Sequence, residues 1–363
     1  VVAARSPLPT ARGDLAATTG ADGRIYAIGG CTGMSPCGND TVVEAYDPGT
    51  NTWSSLPPLP GGRSNLAAAT GPDGRIYAVG GWHAGSAVNW VETFTPGANR
   101  WSVASPLPNA RSGLGAAFGP DGRLYAVGGS PYNSSSTEVD AYTLSTDSWG
   151  LAPPLPQSRA YAAVVTGADG RVYVLGGINQ DAATTVLNSV LALTITGTTT
   201  SGSPACRVSS GIALPPAGNW AERAPLCVAW DAMSAAAGPG PDGATVIYVL
   251  GGYEADLPIA PNRAETYDPR TDSWTELPST PAGLALAWAA AGSDGRLYVF
   301  GRSSGSGALA FAYDPKQRVW ATVTGMPGAT TYSGAVARPD GRIYVVGSQI
   351  GMSNAYLFSL FDP

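Results

Sequence analysis

Short apolar runs alternate with glycine- and aspartate-bearing turn signals along the whole of this chain. The most regular run reads apolar-Tyr-apolar-apolar-Gly and follows an Asp-Gly pair, as in Asp22-Gly23-Arg24-Ile25-Tyr26-Ala27-Ile28-Gly29-Gly30. It returns around Tyr77, Tyr125, Tyr173, Tyr248, Tyr298 and Tyr344, at intervals of 46–51 residues with one of 75. A period of about fifty residues made of strand-length runs predicts a stack of small β units.

One repeat contains four such runs. Leu114 to Phe118 is the first, and Pro120-Asp121-Gly122-Arg123 turns the chain, with Asp-Gly suited to the positive φ of a tight hairpin. Leu124 to Val127 is the second, closed by Gly128-Gly129. Glu138 to Tyr142 is the third, and a tight turn at Leu144 to Asp147 delivers Trp149 on the fourth. The third-run aromatic and the tryptophan stand seven apart at Tyr46/Trp53, Phe94/Trp101, Tyr142/Trp149, Tyr267/Trp274 and Tyr313/Trp320.

A diglycine, an aromatic and a tryptophan at this spacing resemble the kelch repeat over essentially the full chain. The resemblance implies an all-β, seven-bladed β-propeller: four antiparallel strands per blade, the first innermost, in a single domain over residues 1–363. The chain ends on Ser359-Leu360-Phe361-Asp362-Pro363, like the third run at Tyr46-Asp47-Pro48, without a fourth run after it. It begins like a fourth run, so the N-terminal strand is expected to complete the last blade and remove the ring's edges. The fourth repeat departs most, with no clear third-run aromatic and an insertion over residues 196–220. Arg302 and Ser348 replace the second glycine of the sixth and seventh repeats.

Composition narrows the partners. A net charge of −6 disfavours nucleic acid and anionic membrane, and no run is long enough to insert in a bilayer. Forty-four per cent apolar residues exclude disorder. The four cysteines lie in loops, which reads as two disulfides, Cys31–Cys37 and Cys206–Cys227, in a secreted or extracytoplasmic monomer. Spacing alone leaves other pairings open.

The loops after the diglycines differ in nearly every repeat, so their face is the expected recognition face. Arg12, Arg63, Arg111 and Arg159 recur ten residues before the turn aspartate. At the start of innermost strands they would ring the channel mouth and bind a carboxylate or sulfate in bidentate fashion. Asp14, Asn65 and Tyr161 follow two residues after these arginines, and Trp230, Asp231, Trp288, Arg302 and Tyr332 fall near innermost strands on the other side. Aromatic rings beside Asp, Asn and Arg suit a sugar, with ring faces under pyranose C–H bonds and polar tips on hydroxyls.

The expected function is an exported module that binds a carbohydrate, an acidic small molecule, or a protein partner. The alternative is a metal-independent lyase, epimerase or mutarotase on an acidic sugar, with Tyr161, Tyr332 or His83 moving protons. Fungal copper radical oxidases share the kelch-type propeller, but their copper takes two histidines and His83 is the only one here. No metal or other cofactor is expected.

Overall fold

The structure, a computed structural model, describes residues 2–4, 6, 8–32, 38–39, 41–132, 134–181, 185–195, 220–226, 230–231, 233–251, 253–254, 262–302, 308–323, 331–337, 343–348 and 355–360. It is an all-β propeller. Six antiparallel four-stranded sheets are each made of strands in chain order, the first from Ala16–Thr19, Ile25–Ile28, Val43–Asp47 and Thr52–Ser55. A further four-stranded sheet is composite. Thr331–Ala337, Ile343–Ser348 and Ala355–Leu360 supply three strands, and Val2–Ala4 pairs with the last of them, Val2 opposite Leu360.

Innermost strands lie against one another in succession, from Ala16–Thr19 through Ala67–Thr70, Gly115–Phe118, Ala163–Thr166, Ser234–Pro239 and Ala285–Ala291 to Thr331–Ala337. The last lies against the first. The fourth sheet closes across the insertion: Leu193 takes the place of the missing aromatic and pairs with Trp220, the first residue of the outer strand Trp220–Arg223. Trp220 therefore belongs to the blade and not to the insertion; residues 196–219 lie outside the described ones. Among the described residues no helix is long and apolar enough to cross a membrane.

Each repeated residue has a mechanical part. In the first turn Gly23 takes φ +78° and the Asp22 carboxylate accepts from the Arg24 amide and guanidinium and from the Tyr26 hydroxyl, the last at 2.6 Å. The same three bonds recur at Asp73 and Asp121. Second-strand tyrosines pack edge-on or tilted against the third-strand aromatic of the next sheet: Tyr26 on Phe94, Tyr77 on Tyr142, Tyr173 on Tyr267 and Tyr248 on Tyr313. The apolar clusters accordingly lie between consecutive sheets and make the core a set of wedges. The outer-strand indoles donate across the same seams, Trp101 to the Pro57 carbonyl and Trp149 to that of Ser105, both at 2.8 Å.

Buried tyrosines make the ring sensitive to alkali. Burial first, and in each case a hydrogen bond to a turn aspartate second, pushes Tyr26, Tyr77, Tyr125, Tyr142, Tyr173, Tyr267 and Tyr298 far above the usual tyrosine value. Their folded pKa values exceed the unfolded ones, so this stability is complete below about pH 10 and is lost as pH rises beyond it. We expect about 1.4 kcal/mol of loss per pH unit for each tyrosine that ionises only on unfolding. Tyrosinate absorbance should then appear in one cooperative step with loss of β-sheet circular dichroism; gradual ionisation of an intact fold would contradict it.

Candidate functional site: the channel mouth

The four repeated arginines do not line the mouth with available charge. Arg12, Arg63, Arg111 and Arg159 are each at most 1 % exposed. Arg12 donates to the carbonyls of Thr10, Ala27 and Gly29 and to the Glu44 carboxylate at 2.6 Å. Arg63 repeats the set with Gly61, Ala78, Gly80 and Glu92. Arg111 donates to the Glu138 carbonyl and the Asp140 carboxylate. The acids come from third strands, where Glu44, Glu92 and Asp140 stand opposite Ala27, Ala78 and Ala126.

In the fourth sheet Leu191 occupies that register position, opposite Val174. Arg159 bonds instead to Gln157, Gly176 and Ser189. Burial without a carboxylate lowers its pKa to about 10. The expected basic mouth is thus corrected. A guanidinium with one exposed edge can serve a ligand, but these are buried, and those of Arg12, Arg63 and Arg159 fix the diglycine corner to its own strand.

What faces the mouth is the position two residues further on. Asp14, Asn65, Gly113 and Tyr161 all take left-handed backbone, with φ of 51°, 50°, 59° and 54°. A chain of amides links them from sheet to sheet: the Asn65 N–H donates to the Asp14 carbonyl, Gly113 to Asn65 and Tyr161 to Gly113, at 2.9–3.0 Å. This belt fixes the starts of four innermost strands relative to one another. Non-glycine residues with positive φ are uncommon, and three of the belt's four positions carry them.

The belt also brings side chains together. Tyr161 is 42 % exposed and its ring lies over Gly113, where a Cβ would stand 2.7 Å from the ring edge. Burial, then the nearby Asp14 charge, raises the Tyr161 pKa. Asp14 is open to solvent yet crowded by protein, and this desolvation raises its own pKa. Asp14, Asn65 and Tyr161 therefore stand together, as expected from their shared offset from the arginines.

Further out, short bridges carry the diglycine loops: Ser64 pairs with Trp82 and Ser112 with Ser130. Trp82 and Tyr132 lie nearly parallel, 12° apart with centroids at 6.1 Å, and Tyr132 is 62 % exposed. Neither aromatic stood among the sequence candidates for ligand contact, although both lie in the variable loops that flagged the face. His83 follows Trp82, but its Nδ1 is 2.6 Å from the Gly62 carbonyl and its ring packs on Trp90 at 5.0 Å. That bond holds the loop and takes one of the two ring nitrogens a proton relay would use.

The remaining candidates are spread around the ring. Trp230–Asp231 pairs with Tyr253–Glu254 on the same face. Trp288 is 39 % exposed beside a bulge between Ala285 and Trp288, and a similar bulge lies between Tyr332 and Gly334. Bulges in two neighbouring innermost strands mark local departures from the regular ladder. Arg302 pairs with Ala285 and Ala308 within its sheet. For Trp230, Asp231, Arg302 and Tyr332 the described structure is the strand pairing; their side chains lie outside it. Cys37, Cys206 and Cys227 also lie outside the described residues.

Comparison with known proteins agrees with this construction. A family model described as the kelch motif matches residues 14–60, 63–108 and 244–281. Kelch-like protein 35 of Mus musculus is 39 % identical over 59 residues, a stretch covering 16 % of this chain and 10 % of that protein. Among solved structures, a fungal alcohol oxidase of the AA5 family in complex with copper superposes with a TM-score of 0.73 at 14 % identity, over 100 % of this chain and 76 % of that one. The structure of YjhT superposes with a TM-score of 0.61 at 17 % identity, over 88 % of this chain and 99 % of that one. At such identities the likeness is one of fold.

The residues here do not fit a copper site. The single histidine is engaged by a backbone carbonyl, and no group of three or more His, Cys, Asp or Glu residues converges among the described ones. Glycine corners, turn aspartates, third-strand aromatics and outer-strand tryptophans each do in three dimensions what the repeat requires. The chain carries kelch motifs on a β-propeller fold.

Proposed function

We propose that this propeller is an exported, non-catalytic binding module that takes an uncharged carbohydrate at its channel mouth. The observation that carries the reading is the pairing of the half-exposed Tyr161 ring with the Asp14 carboxylate on a belted, rigid rim. A ring face supplies apolar area at little conformational cost, while a carboxylate and the Asn65 amide accept from and donate to hydroxyls. With the four repeated arginines internal, the case for an acidic ligand loses the cations on which it rested. A proton-moving tyrosine would need its pKa brought down toward neutrality, whereas that of Tyr161 is raised, which favours binding over proton transfer.

Two finer features belong to the same reading. The composite sheet acts as the seventh blade, with Val2–Ala4 as its outer strand. In support, Ser6 bonds Asn51 and accepts from Trp53 just as Ser105 bonds Asp147 and accepts from Trp149. Trimming residues 1–4 should lower the unfolding midpoint, and an unchanged midpoint would count against closure by that strand. Export would pair Cys31 with Cys37 and Cys206 with Cys227. The hairpin that sets Cys31 opposite Asn39 returns the chain beside Cys31, and peptide mapping of unreduced protein reads the pairing directly.

The test is a glycan array run with the wild type and Tyr161→Asn, a substitution that keeps a residue tolerant of left-handed backbone while removing the ring. We expect binding to neutral glycans to weaken at least about tenfold, equivalent to ~1.4 kcal/mol. Wild-type protein that binds no glycan would sink the carbohydrate reading and leave a protein partner.

A further inference from the structure

The mouth does not end at Tyr161. The belt residue Asn65 is the chain neighbour of Ser64, which bridges to Trp82, and Gly113 is the neighbour of Ser112, which bridges to Ser130 two residues before Tyr132. The Trp82–Tyr132 pair is thus tied to the same belt that holds Tyr161, one loop further from the axis.

The geometry of the pair limits how a ligand can meet it. An inserted flat group needs about 7 Å between ring planes, twice the ~3.5 Å contact distance. Centroids at 6.1 Å and planes 12° apart leave no such gap, so the two rings form a step and nothing enters between them. Tyr132, 62 % exposed, presents its surface outward. The short polar residues on the bridges and belt that carry the pair are uncharged: Ser64 at one bridge, Ser112 and Ser130 at the other, and Asn65 on the belt. Gly113 contributes no side chain, and the Tyr161 ring occupies the space above it. Flat apolar ground is therefore available at two places, joined by hydroxyl and amide groups.

We propose that the ligand is a linear, uncharged oligosaccharide rather than a single sugar. Its end residue sits at Tyr161 and Asp14, and the following residues run outward over Tyr132 and Trp82. This rests on the carbohydrate reading above and adds chain length and direction to it. Each ring unit has alternating apolar faces and equatorial hydroxyls, which is the chemistry that stepped aromatics separated by small polar side chains can accept. The charges placed along this path are carboxylates, Asp14 on the belt and Asp181, which accepts from the Ser135 amide in the Tyr132 loop, and they disfavour an anionic chain.

Calorimetric titration with cello- and manno-oligosaccharides, from monomer to hexamer, tests it. For the wild type we expect affinity to rise about tenfold or more between the monomer and the tetramer of the preferred series. Tyr132→Ala should abolish that gain while leaving the monomer affinity and the thermal midpoint unchanged, since its ring is mostly in solvent. Tyr132→Phe, which keeps the ring, should keep the gain. Affinity independent of chain length, or monomer binding lost with Tyr132→Ala, overturns this inference while the carbohydrate reading stands. Failure of every member of both series, together with a blank array, removes both.

Discussion

Arg63→Ala is expected to cost the fold about 3–5 kcal/mol, the range for removing one partner of a buried ion pair. The guanidinium is 0 % exposed and serves four acceptors in three segments: the Gly61, Ala78 and Gly80 carbonyls and the Glu92 carboxylate. Removing it leaves Glu92, itself 4 % exposed, as a buried charge without its cation. Burial already lowers the Arg63 pKa against the opposing pull of Glu92, so desolvation of this pair is a large term. The double variant Arg63→Met/Glu92→Leu should recover most of the loss, because removing both charges also removes both desolvation costs. Urea unfolding followed by tryptophan fluorescence gives both numbers. A stable Arg63→Ala protein that had lost ligand binding would return this arginine to the mouth and overturn its structural assignment.

Gly128→Ala should destabilise about as severely, and for a different reason. Gly128 takes φ +61°, and an added Cβ would stand 2.5 Å from the Arg159 carbonyl oxygen, a backbone atom held by its own hydrogen bond to Gly129. Neither the corner nor the neighbouring sheet can retreat without opening the seam between them. We expect a loss of about 3 kcal/mol or more, the left-handed conformation accounting for roughly 1 of it. Gly122→Ala is the internal control. It also has positive φ, +76°, but its Cβ would meet only Pro72 at 3.9 Å. That variant should pay the conformational penalty alone, roughly 1 kcal/mol. Equal losses for the two would mean that backbone strain, and not the close approach of sheets, sets the requirement for glycine at the corner.

Much of the architecture was legible because its signals are local and repeated. Asp-Gly turns, alternating apolar runs and an aromatic seven residues before a tryptophan each report a contact within one hairpin. Periodicity then confirms them several times over. The fourth repeat shows the limit: Leu193 replaces an aromatic, and the tryptophan that pairs with it is Trp220, beyond the insertion. Without the ladder nothing local marks that partner.

The site was read less well. Asp14, Asn65 and Tyr161 share an offset from the arginines, and a belt of backbone amides links them from sheet to sheet. The arginines, expected to offer charge at the mouth, are buried instead. Their acids, Glu44, Glu92 and Asp140, lie 29–32 residues away in sequence and become partners only once third strands pair with second strands. Trp82 and Tyr132 went unselected for a similar reason, since each lies in a loop of no fixed pattern and their parallel stacking needs two sheets side by side.

By itself, then, the amino-acid sequence determined the repeat, the strand and turn chemistry and the kind of fold, because these depend on neighbours a few residues apart. Which arginines are buried, which residues share the mouth and which rings meet were decided only by tertiary structure. Burial and charge pairing are properties of the seam between sheets, and residues some thirty to fifty apart reach that seam only when the ring is assembled.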